Sequence, residues 1–325
     1  MTVVRFGLAP LRGGCLELIG IALIAQSWLA AAAPAAATPP DYQALVSRER
    51  GAMAILGDLR QGRAVLAGRT EMLDRRVPAG SWVKLFLAYH LLAGEQVRED
   101  ETFFCRGWRG DRHHCWYGPG HGWLDLRQAL GWSCNDWFAT VLPRVDPAAY
   151  LATVKVFFPS QRGLARPPPA EWQDAFMRGN LTSEALSLRQ WAEGILSLVL
   201  EGEARLGEGR SGGQLHFEYR RLARKPRLAV LSGMKLAARE GTAAQMARRF
   251  GSGDLLAKTS SSLGPPPSGN GRARESLCLI CGFYPADTPR AFIFLFVPRG
   301  FAALTAAPLA GDVLADFCRR RRLGP

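Results

Sequence analysis

The stretch 77–92, VPAGSWVKLFLAYHLL, sets a single lysine into an otherwise apolar run that opens with Pro78, Ala79 and Gly80. Its spacing predicts a helix beginning near Ser81, since Pro and Gly mark a helix start and the apolar residues recur at helical intervals. On that helix Ser81, Lys84 and Ala88 share one face, while Trp82, Leu85, Phe86 and Tyr89 share another. Ser81 and Lys84 therefore point together, with the serine oxygen at the positive end of the helix dipole. An ammonium flanked by Val83, Leu85 and Phe86 loses hydration, which lowers its pKa and frees a neutral amine to act as general base. Alone, the pair also fits a lysine snorkelling from an amphipathic helix. The rest of the chain has to decide.

The chain has 325 residues, 48% of them hydrophobic and 21% charged, which is globular composition with room for one large or two modest domains. Arg5 and Arg12 precede LIGIALIAQSWLAAAAPAAATPP, which reads as a secretory signal with A-x-A cleavage choices near Ala33 or Ala37. The run from Leu18 to Ala37 is also long enough, at about 20 residues, to stay as a membrane anchor. Cys15 precedes this run, so it does not sit like a lipidated cysteine at a signal's end. The expected division is 1–37 as signal or anchor and 38–325 as one folded domain, with no second span in the sequence.

A net charge of +13 suits an acidic polymer or anionic surface. Export argues against nucleic acid as the partner. The basic residues are dispersed, as at Arg220, Arg224 and Arg227, and dense only at Arg319–Arg322, which reads as a solvated tail. Seven cysteines do not make a disulfide framework. Cys278 and Cys281 have redox-motif spacing but lie in a strand pattern, where residues three apart face opposite ways, so they read as buried thiols.

GAMAILGDLRQGRAVLAG (51–68) reads as two strands around a turn. Residues 101–122, rich in Gly and aromatics, read as loop, and helical spacing flanks Ser133-Cys134-Asn135. Further helices are expected in TSEALSLRQWAEGILSLVLEG (182–202, capped by Thr182 or Ser183), RLAVLSGMKLAAREG (227–241) and TAAPLAGDVLADFCRR (305–320). DLLAKTSSS, SLCLICGFY and RAFIFLFVPRG read as strands. Strands at both ends around a helical middle predict an α+β sheet in which the first and last segments meet.

Ser81-x-x-Lys84, Ser133-x-Asn135 and Lys258-Thr259-Ser260 stand in the order of the S-x-x-K, S-D-N and K-T-G set of serine penicillin-recognising enzymes. Their neighbours sharpen the match: PAGSWVKLF, GHG before ALGWSCNDWF, SGMKLAAREGTA before LLAKTSSS, and CGFYPADTPRAFIFLFV. As an ordered set over about residues 50–300, these resemble the transpeptidase domain of class B penicillin-binding proteins, the elongation-type members above all. The resemblance implies a five-stranded antiparallel sheet flanked by helices, plus an all-helical lobe carrying Ser81, Lys84 and Ser133. It implies that Ser81 attacks a D-Ala-D-Ala carbonyl and forms an acyl-enzyme, that Lys84 takes its proton, and that Ser133 relays a proton to the leaving amine. Asn135 would hold Lys84 and the substrate amide, and Lys258 would attract the substrate carboxylate. Thr259, Ser260 and Ser261 would line the substrate strand, with the Ser81 and Ser261 N–H groups as oxyanion hole. Peptidoglycan stem peptides and β-lactams would be the partners, the location periplasmic or on the outer face of the membrane, and no cofactor would be needed.

Two departures matter. Ser260 stands where the family has Gly, and strand alternation puts it on the face of Lys258, so it is expected to narrow the space beside the nucleophile. About ten residues between the apolar run and the first strand leave no long pedestal domain. A class D β-lactamase, disfavoured by Asn135, and a catalytically weak peptidoglycan-binding scaffold are the alternatives. Cys105, Cys115 and His121, with Asp111, His113 and His114 nearby, could bind zinc, form a Cys105–Cys115 disulfide or stay unpaired; their spacing matches no strong zinc pattern, and no metal is assigned.

Overall fold

A computed structural model of the chain describes residues 41–109, 115–158, 171–179, 185–207, 212–263 and 276–324. The proposed leader, Asp111, His113, His114, Thr182 and Ser183 lie outside them. Helix α1 (Tyr42–Arg48) leads into the expected hairpin, β1 (Met53–Asp58) and β2 (Arg63–Gly68), paired antiparallel from Met53 with Gly68 to Asp58 with Arg63. The helical lobe follows: α2 (Val83–Ala93), a two-stranded ladder of β3 (Phe103–Cys105) and β4 (Gly122–Leu124), then α3 (Leu126–Gly131), α4 (Asn135–Val141), α5 (Pro147–Phe157), α6 (Trp172–Met177) and α7 (Leu188–Leu200). Strands β5 (Gly202–Leu206) and β6 (Gly212–Tyr219) precede α8 (Arg224–Arg239) and α9 (Ala244–Phe250). The chain closes with β7 (Leu256–Leu263), β8 (Ser276–Tyr284), β9 (Ala291–Val297) and α10 (Ala306–Arg321).

Among the described residues the main sheet has seven strands, not the expected five, in the order β5-β6-β2-β1-β9-β8-β7. The five expected strands are all present; β5 and β6 extend the sheet beyond β2 through three residue pairs, Arg63 with Gln214 to Val65 with Gly212. Their sequence hides them. In β6 only Leu215 is buried, while Phe217 and Tyr219 are exposed and Gly212 and Gly213 open the strand, so the alternation that marks a half-buried strand is missing.

Alternation is plain elsewhere. Along β9 Phe292, Phe294 and Phe296 face the helical lobe, while Ile293, Leu295 and Val297 face α9 and α10. Aromatic and aliphatic layers thus sit on opposite sides of one strand. Gly57 lacks a side chain because a Cβ there would lie 1.9 Å from the Phe292 ring. Cys281 and Cys278 fall into the two different cores and are not disulfide-bonded.

Two helices differ from expectation. Helix α7 starts at Leu188 with a capping box between Ser187 and Gln190. Helix α2 is buried from Val83 to Leu91, with Phe86 packed against Phe157, Phe158 and Trp191. It has no wet face, so Lys84 cannot snorkel. No described helix is long and apolar enough to cross a membrane.

Candidate active site

Gly80, in the left-handed region at φ +54°, opens a short 3-10 turn (Gly80–Trp82) that delivers Ser81 to the start of α2. A first-turn N–H has no acceptor within its helix and needs one elsewhere. The Trp82 indole donates to the Lys258 carbonyl at 2.9 Å and so ties this turn to edge strand β7.

One turn on, Lys84 is 3% exposed and donates to the Ser133 carbonyl at 2.9 Å and to Asn135 Oδ1 at 2.6 Å. Burial draws its pKa down to about 8, against the opposing pull of the nearby Cys134 and Cys115 sulfurs. Ser133 sits in the left-handed region at φ +53°, a conformation strained for a residue with a Cβ. Its carbonyl serves Lys84 while its hydroxyl accepts from Lys258 Nζ at 2.9 Å. Lys258 is fully buried and also donates to the Thr259 carbonyl. Burial first, and the neighbouring Lys84 second, hold its pKa well below the usual lysine range. The Lys84 ammonium, joined to Lys258 through one serine, thus disfavours the charge on Lys258.

Lys84, Ser133, Asn135 and Lys258 thus form one buried network. Ser81, half-buried, lies in the 3-10 turn just before α2; among the described residues no hydrogen bond joins its hydroxyl to Lys84. Thr259 points to the opposite side of β7, where its hydroxyl meets Thr242 at 2.5 Å. The Ser261 hydroxyl accepts from the Ala302 N–H at 3.0 Å. Ser260 lies on the Lys258 face of β7, as alternation predicts, and its hydroxyl reaches the backbone beside Ser81. It is buried against the turn before Ser81, donating to the Ala79 carbonyl at 2.5 Å and accepting from the Ser81 N–H at 2.8 Å. Trp116 and Phe301, both exposed, approach to 6.0 Å between ring centroids.

A second cluster adjoins the network. Cys105, Cys115 and Cys134 are free thiols, and their sulfurs and a ring nitrogen of His121 all lie within 4.8 Å of one another. His121 Nδ1 is 3.5 Å from Cys105 Sγ and 3.4 Å from Cys115 Sγ, and the Cys115 and Cys134 sulfurs are 3.9 Å apart. Tetrahedral zinc at about 2.3 Å from each sulfur separates sulfurs by roughly 3.8 Å, so these residues fit that ion. A hydrogen bond with Cys134 pulls the Cys115 thiol below its usual range, while the same contact pushes Cys134 up and burial pushes Cys105 up. Cys134 was not among the expected donors. It lies inside the Ser133–Asn135 triplet and caps α4, accepting from the Trp137 N–H at 3.4 Å, so whatever holds its sulfur also holds the residues on either side.

No family model and no curated protein matches the sequence. Solved structures do. The transpeptidase domain of Burkholderia pseudomallei penicillin-binding protein 3 superposes with a TM-score of 0.66 at 15% identity, over 87% of this chain and 95% of that one. A protein of Atopobium parvulum described as a peptidoglycan glycosyltransferase gives 0.63 at 13% identity, over 84% and 73%. The chain has the fold of a penicillin-binding protein transpeptidase domain.

Proposed function

We propose that this chain is an exported peptidoglycan D,D-transpeptidase or D,D-carboxypeptidase that works through an acyl-Ser81 intermediate. The observation that supports it best is the convergence of Lys84, Ser133, Asn135 and Lys258, from distant parts of the sequence, on one buried network a turn from Ser81. Ser81 Oγ attacks the carbonyl carbon of the D-Ala-D-Ala bond and passes its proton to the Lys84 amine. The C–N bond then breaks, and the proton travels by way of Ser133 to the departing amine. An acceptor amine or water attacks the ester and restores Ser81. Lys258 attracts the terminal carboxylate. Strand β7 is the sheet edge, where an extended stem peptide can add as a further strand. β-Lactams enter by the same acylation.

Prolonged incubation with a fluorescent penicillin, followed by mass spectrometry, tests this reading. A lasting adduct on Ser81 is expected. A short-lived adduct would favour a β-lactamase, and no Ser81 adduct would overturn the enzyme in favour of a scaffold.

A further inference from the structure

A carbonyl attacked by Ser81 develops negative charge on its oxygen, and the Ser81 N–H is the donor placed to receive it. That donor is already engaged. Resting on the acyl-enzyme reading, we propose that the Ser260 hydroxyl occupies the oxyanion position at Ser81 and keeps the nucleophile latent until it swings away.

The geometry carries this in three steps. First, the hydroxyl is used at both ends: its proton goes to the Ala79 carbonyl at 2.5 Å, and its lone pair takes the Ser81 N–H at 2.8 Å. Buried to 2% exposure, it faces little competition from water for either bond. Second, the surroundings are shaped around it. A Cβ on Gly80 would stand 2.3 Å from the Ser260 oxygen, so the glycine at φ +54° is what lets β7 and the turn close this tightly. Third, the contact is reinforced along the strand. On the same face of β7 the Ser262 hydroxyl donates to the Pro78 carbonyl at 3.1 Å, and the Trp82 indole holds the Lys258 carbonyl at 2.9 Å.

A helix start needs an acceptor for its first N–H groups, and a serine hydroxyl serves well as a cap. Here the capped N–H belongs to the nucleophile, so the cap and an acyl donor's oxygen compete for one hydrogen. The tethered oxygen holds the site when no ligand is bound. The proton-transfer network on the other side remains complete, so the block is reversible. Rotation of Ser260 about χ1 breaks both of its bonds at once and frees the donor.

Losing one oxyanion donor typically slows acyl transfer by about 10²–10³-fold, and freeing one should return a gain of that order. The test uses the full exported chain as wild type, Ser260→Ala and Ser260→Gly. Two quantities are measured on each: the second-order rate of labelling by a fluorescent penicillin, and hydrogen exchange of the Ser81 amide. Slow exchange is expected in the wild type. In Ser260→Ala, which removes the oxygen but keeps the Cβ, exchange should accelerate and labelling should rise about 100-fold, with Gly adding little more. Fast Ser81 exchange in the wild type, or exchange unchanged in folded Ser260→Ala, would overturn the occupancy. A labelling gain confined to Gly would replace it with obstruction by the Cβ. Fast exchange in both variants without labelling of any chain would leave the oxygen where we place it and overturn the acyl-enzyme reading, and latency with it.

Discussion

Ser81 stands between two flanks that use the same kinds of polar group to opposite effect. On the α4 side, Lys84 and Lys258 converge on Ser133, and burial lowers both lysine pKa values, which is what the proposed proton transfer needs. On the β7 side, the hydroxyls of Ser260 and Ser262 are spent on the carbonyls of Ala79 and Pro78, so that side is closed. Lys258 and Ser260 are two residues apart on one face of one strand, yet each serves a different flank. Reach decides this. A lysine spans the gap to the helical lobe, whereas a serine bonds only with the backbone directly against it. On the proposed reading the α4 side carries the proton transfer and the β7 side the block, and the two properties should separate under mutation.

The largest effect is expected from Ser81→Ala, which should abolish covalent penicillin labelling and leave the melting temperature nearly unchanged. The variant keeps the backbone N–H and hence its bond to Ser260, and a half-buried serine contributes little packing. Residual labelling at Ser81-independent sites, located by mass spectrometry, would remove Ser81 from the chemistry. Next comes Lys84→Arg. A guanidinium stays protonated and cannot accept the serine proton, so labelling should fall by at least about 100-fold. Arg is also larger than the space around Lys84, and overpacking should cost about 1–3 kcal/mol of stability, read from chemical denaturation. Labelling at the wild-type rate would move the base elsewhere.

The ordered motifs located the network because each carries its residues at fixed local spacing, and helix or strand periodicity then fixes which way they point. β8 and β9 were legible for a similar reason, since dense apolar runs bounded by turns read as buried strands. β5 and β6 were not: β6 buries only Leu215 and is held by its pairings with β2 and β5, and β5 alternates over just five residues with Gly202 and Ala204 as two of its three buried positions, too weak an apolar signal to stand out after α7. Cys134 as a partner of Cys105, Cys115 and His121 was hidden by sequence distance, being brought there only when α4 docks beside the β3–β4 ladder. The bond between Ser260 and Ser81 was missed for a subtler reason. Alternation gave the face of β7 correctly, but only the left-handed turn at Gly80 shows how near that face comes to the nucleophile.

The sulfur cluster allows the buried network of Lys84, Ser133 and Lys258 to be probed without touching any of its side chains. Protein purified in zinc-containing medium should carry about one zinc ion per chain by elemental analysis, and Cys134→Ser should lose it and melt at a lower temperature. The accompanying drop in labelling should be smaller than for Lys84→Arg, because Ser133 and Asn135 remain present but less firmly held. Equal zinc content in wild type and variant would show that Cys134 is no ligand.

The smallest effect, and the sharpest test of how the β7 flank closes, is expected from Ser262→Ala. Among the described residues its hydroxyl makes one hydrogen bond, to the Pro78 carbonyl at 3.1 Å, and none to Ser81. Removing it should cost about 1 kcal/mol of stability, the usual net worth of one such bond. Both bonds of Ser260 survive in this variant, so the oxyanion position stays filled and labelling should change by no more than a few-fold. If Ser262→Ala sped labelling as much as Ser260→Ala, closure would belong to the docking of the whole strand against residues 78–81. The difference in reach between Lys258 and Ser260 would then no longer explain why one flank is open and the other shut.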